Sequence, residues 1–173
     1  METAIYPGSF DPITLGHIDI VTRGSHLFDR VIISVADNSG KKVLLDIEAR
    51  VALAKEATRC LKNVTVTSFK GLTVDHAKAQ GARFIIRGLR AVSDFEYEFA
   101  MAQMNKNLSQ ETETVFLMSG LDYHFLSSSM VKEVAALGGN IANLVPDNVR
   151  QYLEQDNVAH FKSALAAKEG SPE

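Results

Sequence analysis

The stretch Val31–Ala36 constrains the fold most. It is a continuous apolar, largely β-branched run, the pattern of a strand buried on both faces. Such strands belong to parallel sheets covered by helices. Four companions share the chain: Ala4–Tyr6, Val64–Phe69, Phe84–Ile86 and Val115–Met118. Val64–Phe69 alternates apolar and polar residues, so it is expected near an edge or half exposed. Helical patterns separate the strands. Ile18–Phe28 places Ile18, Val21 and Phe28 on one face, joined by Ile20 and Leu27. Asp46 can cap a helix from Ile47 to about Cys60, with Val51, Leu53, Ala54 and Ala57 inward. Val74–Gln80 is a short helix closed by Gly81, and Asp94–Leu108 is a long one. Ser127–Ser129 open a further helix that Gly138-Gly139 ends, and Pro146-Asp147 starts the last. The alternation predicts the α/β class: a single Rossmann-like, doubly wound domain with a five-stranded parallel sheet. The domain is expected over 1–160, with 161–173 a polar tail, partly disordered.

A net charge of −3 disfavours a general nucleic-acid binder, which is normally basic. No run approaches the ~20 apolar residues of a membrane span. A strand pattern begins at once, leaving no room for a secretory leader. The single cysteine, Cys60, excludes an intrachain disulfide and a cysteine-rich zinc site. These features point to a cytoplasmic protein without nucleic-acid or membrane partners. Cys60 falls on a helix face patterned for packing and is expected to be buried.

In open α/β sheets, ligands sit beyond the carboxyl ends of the strands. The stretch Ala4–His17 reads as strand, glycine turn and helix start. Free N–H groups and the helix dipole favour phosphate there. Gly8 and Gly16 are expected at close approaches of backbone to ligand. His17 would stand at the helix mouth, where the dipole favours a neutral imidazole donating one hydrogen bond. It could also be a simple cap. Positive charge follows other strands: Lys41 and Lys42, then Arg87 and Arg90, then Lys132 behind Ser127–Ser129. Arg87 and Arg90 could hold phosphate or form salt bridges with Asp94 or Glu98. One of the three serines is expected to be an N-cap. The lysine pair could be a solvated loop. His26, His76, His124 and His160 read as surface or core residues.

Gly8-Ser9-Phe10-Asp11-Pro12-Ile13-Thr14-Leu15-Gly16-His17 resembles the His-x-Gly-His signature of the nucleotidyltransferase superfamily, with Thr14 in place of the first histidine. Threonine there resembles the phosphopantetheine adenylyltransferases. Ile86–Glu98 and Phe125–Glu133 are similar to further stretches of that family. The resemblance fades after about Leu153. It implies transfer of AMP from ATP to 4'-phosphopantetheine, giving dephospho-coenzyme A and pyrophosphate. It implies His17, Lys41 and Arg90 as catalytic residues. ATP would be held by Ser9, Phe10, His17, Gly88, Leu89, Arg90, Glu98, Tyr123, Ser127, Ser128 and Ser129. Phosphopantetheine would be held by Ser9, Lys41, Leu72, Thr73 and Arg87. Tyr123 could pack beside the base or only close its loop, and Glu98 could be an ordinary exposed acid. Magnesium would be held mainly by ATP phosphates and water. The family resemblance also implies a homohexamer.

Overall fold

In a computed structural model of the chain, residues 1–37, 43–90 and 92–155 are described. Lys41, Lys42 and the expected tail lie outside them. The elements run β1 (Thr3–Gly8), α1 (Leu15–Leu27), β2 (Arg30–Ala36), α2 (Ile47–Ala57), β3 (Val64–Phe69) and α3 (Thr73–Ala79). They continue β4 (Phe84–Leu89), α4 (Val92–Leu108), β5 (Glu113–Met118), α5 (Ser128–Ala136) and α6 (Asp147–Gln155). The five strands form one sheet in the order β3-β2-β1-β4-β5, every pairing parallel.

The faces of the sheet follow from side-chain alternation. Ala4, Tyr6, Val31, Ile33 and Val35 point to the larger core, shared with Ile20, Val21, Leu53 and Ala54 of α1 and α2. Ile5, Ile32 and Ile85 point the other way, against Val74 and Ala77 of α3. β3 is an edge strand and mostly half-exposed, as its alternation predicts.

Chain order reverses between β1 and β4, the switch point at which doubly wound sheets bind ligands. β1 pairs with β2 along its whole length, but its register with β4 covers only Ala4–Phe84 and Ile5–Ile85. The carboxyl halves of β1 and β4 are therefore released from each other, and a cleft opens between them.

Three local expectations are corrected. α1 begins at Leu15 with Thr14 as its N-cap, earlier than the apolar pattern from Ile18 indicates, and His17 lies in its first turn, at the helix mouth. Leu27 is 61% exposed: the inward face of α1 is Ile20, Val21 and Gly24. A Cβ at Gly24 would lie 2.9 Å from Ile86 Cδ1, so glycine lets α1 sit close on β4. Cys60 is exposed, because α2 ends at Ala57 and the cysteine falls in the following turn.

Candidate active site

The cleft has two adjoining lobes over the carboxyl ends of the strands, with cavity volumes of about 330 Å³ and 600 Å³. Each is within the range of small-ligand sites. Pro7, Gly8, Ser9, Arg87, Gly88 and Arg90 line both and form their common wall.

The smaller lobe contains His17, Phe10, Tyr123 and Ser127–Ser129. Here the local sequence determines a proton position. The Thr14 N–H donates to His17 Nδ1 at 3.0 Å. The Thr14 hydroxyl lies 2.9 Å from the same nitrogen and accepts from the His17 N–H at 3.4 Å. Nδ1 is thus an acceptor, which leaves the proton of the neutral ring on Nε2. Burial, helped by the charges of Arg90 and Arg87, pushes the His17 pKa down to about 4. At neutral pH His17 is a neutral hydrogen-bond donor. The threonine that replaces the first signature histidine therefore fixes the tautomer of the second.

Phe10 holds the ring from below. Its own ring is buried and meets His17 edge-on at 5.1 Å and Tyr6 at 5.4 Å. Phe10 has φ +45°, a left-handed conformation that costs a non-glycine residue on the order of 1–3 kcal/mol. A Cβ on Gly8 would lie 3.0 Å from the Phe10 ring, so a side chain there would press on that buried ring. The close approach at Gly8 is to Phe10. At Gly16 an added Cβ would meet Tyr123 Cβ at 3.5 Å, an ordinary contact within the protein.

The serines divide their work. Ser127 is the N-cap of α5, accepting from the Met130 N–H at 3.1 Å. Ser128 donates to the Pro12 carbonyl at 2.8 Å, tying the helix mouth to the first loop. Ser129 is exposed at the rim. What α5 offers an anion is the Ser129 hydroxyl and first-turn N–H groups.

The larger lobe is lined by Thr73, Tyr97, Glu98, Met101 and Asn105. Glu98 lies here and not beside His17. It takes a two-pronged ion pair from Arg87, both contacts 2.5 Å, while Arg87 Nη1 donates to the Pro7 carbonyl at 2.8 Å. Burial works against the Arg87 charge, but Glu98 outweighs it and holds the guanidinium above its ordinary pKa. Arg90 pairs with Asp94 at 3.0 Å and donates to the Leu126 carbonyl at 3.2 Å. Both salt bridges weighed from the sequence are present, and both guanidinium groups still line the cleft. Leu72 is 54% exposed as the residue before α3 and does not line either lobe; Thr73 does. Leu89, between Gly88 and Arg90, is buried and lines neither lobe.

Two residues that sequence reasoning did not place shape the site. Asp11 is buried and accepts from the Leu44 and Leu45 N–H groups, each at 2.9 Å, and from Lys132 Nζ at 2.7 Å. It fastens the first loop to the segment before α2 and to α5. Arg50 is buried at the inward spacing of Ile47, Leu53 and Ala54 on α2. A charged residue at a core position of a helix was the available signal.

Comparison with known proteins gives the family of the chain. A family profile described as cytidylyltransferase-like matches residues 5–134. A phosphopantetheine adenylyltransferase of Thermosynechococcus vestitus is 55% identical over 151 residues, 87% of this chain and 90% of that protein. One from Clostridium botulinum is 56% identical over 149 residues, 86% of this chain and 94% of that protein. A solved structure from Vibrio parahaemolyticus, described as a nicotinate-nucleotide adenylyltransferase, aligns with TM-score 0.72 at 19% identity, over 91% of this chain and 95% of that one. That likeness shows the shared fold. The chain belongs to the cytidylyltransferase-like family and, within it, to the phosphopantetheine adenylyltransferases.

Proposed function

We propose that this enzyme transfers the adenylyl group of ATP to the phosphate of 4'-phosphopantetheine, a step of coenzyme A biosynthesis. An acceptor phosphate oxygen attacks the α-phosphorus, the bond to the β-phosphate oxygen breaks, and pyrophosphate leaves with dephospho-coenzyme A as product. The acceptor is already anionic, so no general base is required. The observation that carries the reading is His17: a neutral ring with its proton on Nε2, beside the wall shared by two lobes. Such a donor stabilises charge that develops on an α-phosphate oxygen without first losing a proton.

ATP occupies the His17 lobe, with Ser9, Phe10 and Gly88 along one side and Tyr123 near the base; Leu89 is assigned to ATP on the family resemblance alone. Arg90 and the mouth of α5, with Ser129, grip the β- and γ-phosphates. Phosphopantetheine occupies the larger lobe, its phosphate at Arg87 and Ser9 and its arm past Thr73, beside Leu72. Glu98 acts there by holding Arg87. Lys41 is assigned to the acceptor phosphate on the family resemblance. Magnesium, held mainly by the phosphates of ATP and water, would neutralise their charge. We place the enzyme in the cytoplasm, with no nucleic-acid or membrane partner. Among the described residues no helix is long and apolar enough to cross a membrane. Assembly into a homohexamer is supported by apolar side chains that α4 leaves exposed, Phe95, Phe99 and Met104 among them.

The test offers magnesium and ATP with either 4'-phosphopantetheine or nicotinate mononucleotide and weighs the products. Dephospho-coenzyme A and pyrophosphate are expected from the first alone. Transfer only to the mononucleotide would overturn the acceptor assignment. With ATP made chiral by sulfur at the α-phosphorus, a single displacement gives inversion, and retention would require a covalent adenylyl-enzyme.

A further inference from the structure

Arg50 lines neither lobe, yet it is tied to the ends of both strands below them. It is 2% exposed. Its Nη1 donates to the Ser9 carbonyl at 2.8 Å and to the Ala36 carbonyl at 3.0 Å. Its Nε donates to the Leu45 carbonyl at 3.0 Å and the Asp46 carbonyl at 3.3 Å. All four acceptors are backbone oxygens, drawn from the ends of β1 and β2 and the entry to α2. A buried guanidinium spent on four carbonyls suits a planar, forked donor and no other side chain.

The contact with Ser9 has a consequence one residue on. The only cis peptide among the described residues is Asp11-Pro12, so the Ser9–Phe10 peptide is trans. In a trans peptide the carbonyl and the next N–H point in opposite directions. Holding the Ser9 oxygen on Arg50 turns the Phe10 N–H away from Arg50, and Ser9 and Phe10 both line the His17 lobe. Among the described residues that N–H has no backbone acceptor. The same contact anchors the peptide that enters the left-handed Phe10, whose ring buttresses His17.

We propose that Arg50 is a positioning residue for adenylyl transfer: by clamping the Ser9 carbonyl it aims the Phe10 N–H at the nucleotide phosphates and sets the Phe10 ring beneath His17. The inference rests on the transfer reaction proposed above. It separates from a purely structural role because it acts on one peptide plane and one ring.

The experiment compares the full-length protein with Arg50→Lys and Arg50→Met. Lysine keeps a charge but cannot reach four carbonyls at once; methionine keeps only bulk. Turnover per folded molecule, KM for ATP, the thermal midpoint and the Phe10 amide shift on adding ATP are measured. Turnover is expected to fall about 10-fold in Arg50→Lys and about 100-fold in Arg50→Met, the loss of an aligned transition-state contact, with KM changing far less. The ATP-induced shift of the Phe10 amide is expected to shrink in both. If Arg50→Met does not fold, Arg50→Lys decides. A folded Arg50→Lys protein with full turnover and an unaltered Phe10 shift overturns the proposal. So does a loss explained wholly by a lower thermal midpoint. Unmodified protein that binds ATP but transfers nothing would sink the reaction assigned above, while the Phe10 shift would still report on Arg50.

Discussion

The two lobes of the cleft prepare for their ligands in opposite ways. In the His17 lobe the key donor is neutral, and its partners sit behind it: Thr14 on Nδ1 and the Phe10 ring beneath. Nε2 carries the ring's proton and takes no hydrogen-bond partner among the described residues, and His17 lines the lobe. In the larger lobe the key donor is a full charge already engaged by Glu98 and the Pro7 carbonyl. The first arrangement orients a group with little to rearrange when charge develops. The second keeps a cation paired and fixed, which on the proposed reading would hold it ready for the acceptor phosphate. The contrast predicts that the His17 lobe governs the rate of transfer, whereas the Arg87 lobe governs capture of the acceptor.

His17→Ala tests the first half and carries the largest expected effect. Turnover should fall about 100-fold or more, as when one donor to a developing oxyanion is lost, while ATP affinity changes much less. Steady-state kinetics with a direct binding measurement checks this; near-normal turnover of a folded variant would erase the contrast. The pH dependence sharpens it. With a folded pKa near 4, His17 stays neutral through pH 6.5, so kcat should show no break there. For stability, the unfolded histidine titrates at its ordinary value near 6.5 and the folded one near 4. Between those values the unfolded state binds more protons. The contribution is therefore fully present above about 6.5 and is lost as pH falls toward 4. Unfolding curves of the protein and of His17→Asn should diverge over that window and run parallel above it.

Glu98→Gln tests the other half. The variant retains one acceptor for Arg87 but loses the charge that steadies it. The KM for 4'-phosphopantetheine should rise about 10-fold, comparable to a lost charge-assisted hydrogen bond. The KM for ATP should stay level and kcat should move little. Varying each substrate in turn measures both. An equal rise in both KM values would mean that the lobes act as one site.

What the sequence revealed follows the range of the interactions involved. Strand runs such as Val31–Ala36 and caps such as Asp46 are local patterns, and the structure reproduces them. The doubly wound order follows from the alternation of those patterns. The Ser127 cap and the glycine that ends α5 were legible for the same reason. Residues whose meaning depends on distant backbone were not. Asp11 reads as a loop residue until Leu44, Leu45 and Lys132 are brought to it. Arg50 reads as one charge on an amphipathic helix until the ends of β1 and β2 meet it. The resemblance assigns Glu98 to ATP, but its ion pair with Arg87, 11 residues away, and its place in the larger lobe were not legible. Cys60 was misplaced because α2 stops a turn early, with the Thr58 hydroxyl donating to the Ala54 carbonyl at 2.7 Å.

Thr14 offers the smallest and most discriminating test of the His17 lobe. Two of its groups reach Nδ1: the backbone N–H at 3.0 Å and the hydroxyl at 2.9 Å. Thr14→Ala removes the hydroxyl and keeps the N–H, so the tautomer should survive. Loss of the N-cap should cost about 1 kcal/mol of stability. Turnover should fall only about threefold, because the ring loses one of two restraints and not its donor proton; a factor of three is about 0.65 kcal/mol. Thr14→Ser restores both contacts and should return stability and rate together. Thermal unfolding and kcat measured on the same preparations decide between the two restraints. A 10-fold or larger drop in folded Thr14→Ala, recovered by serine, would show that the hydroxyl and not the backbone sets the ring. The His17 lobe would then depend on a side-chain partner as the Arg87 lobe does, and the difference between them would narrow to charge alone.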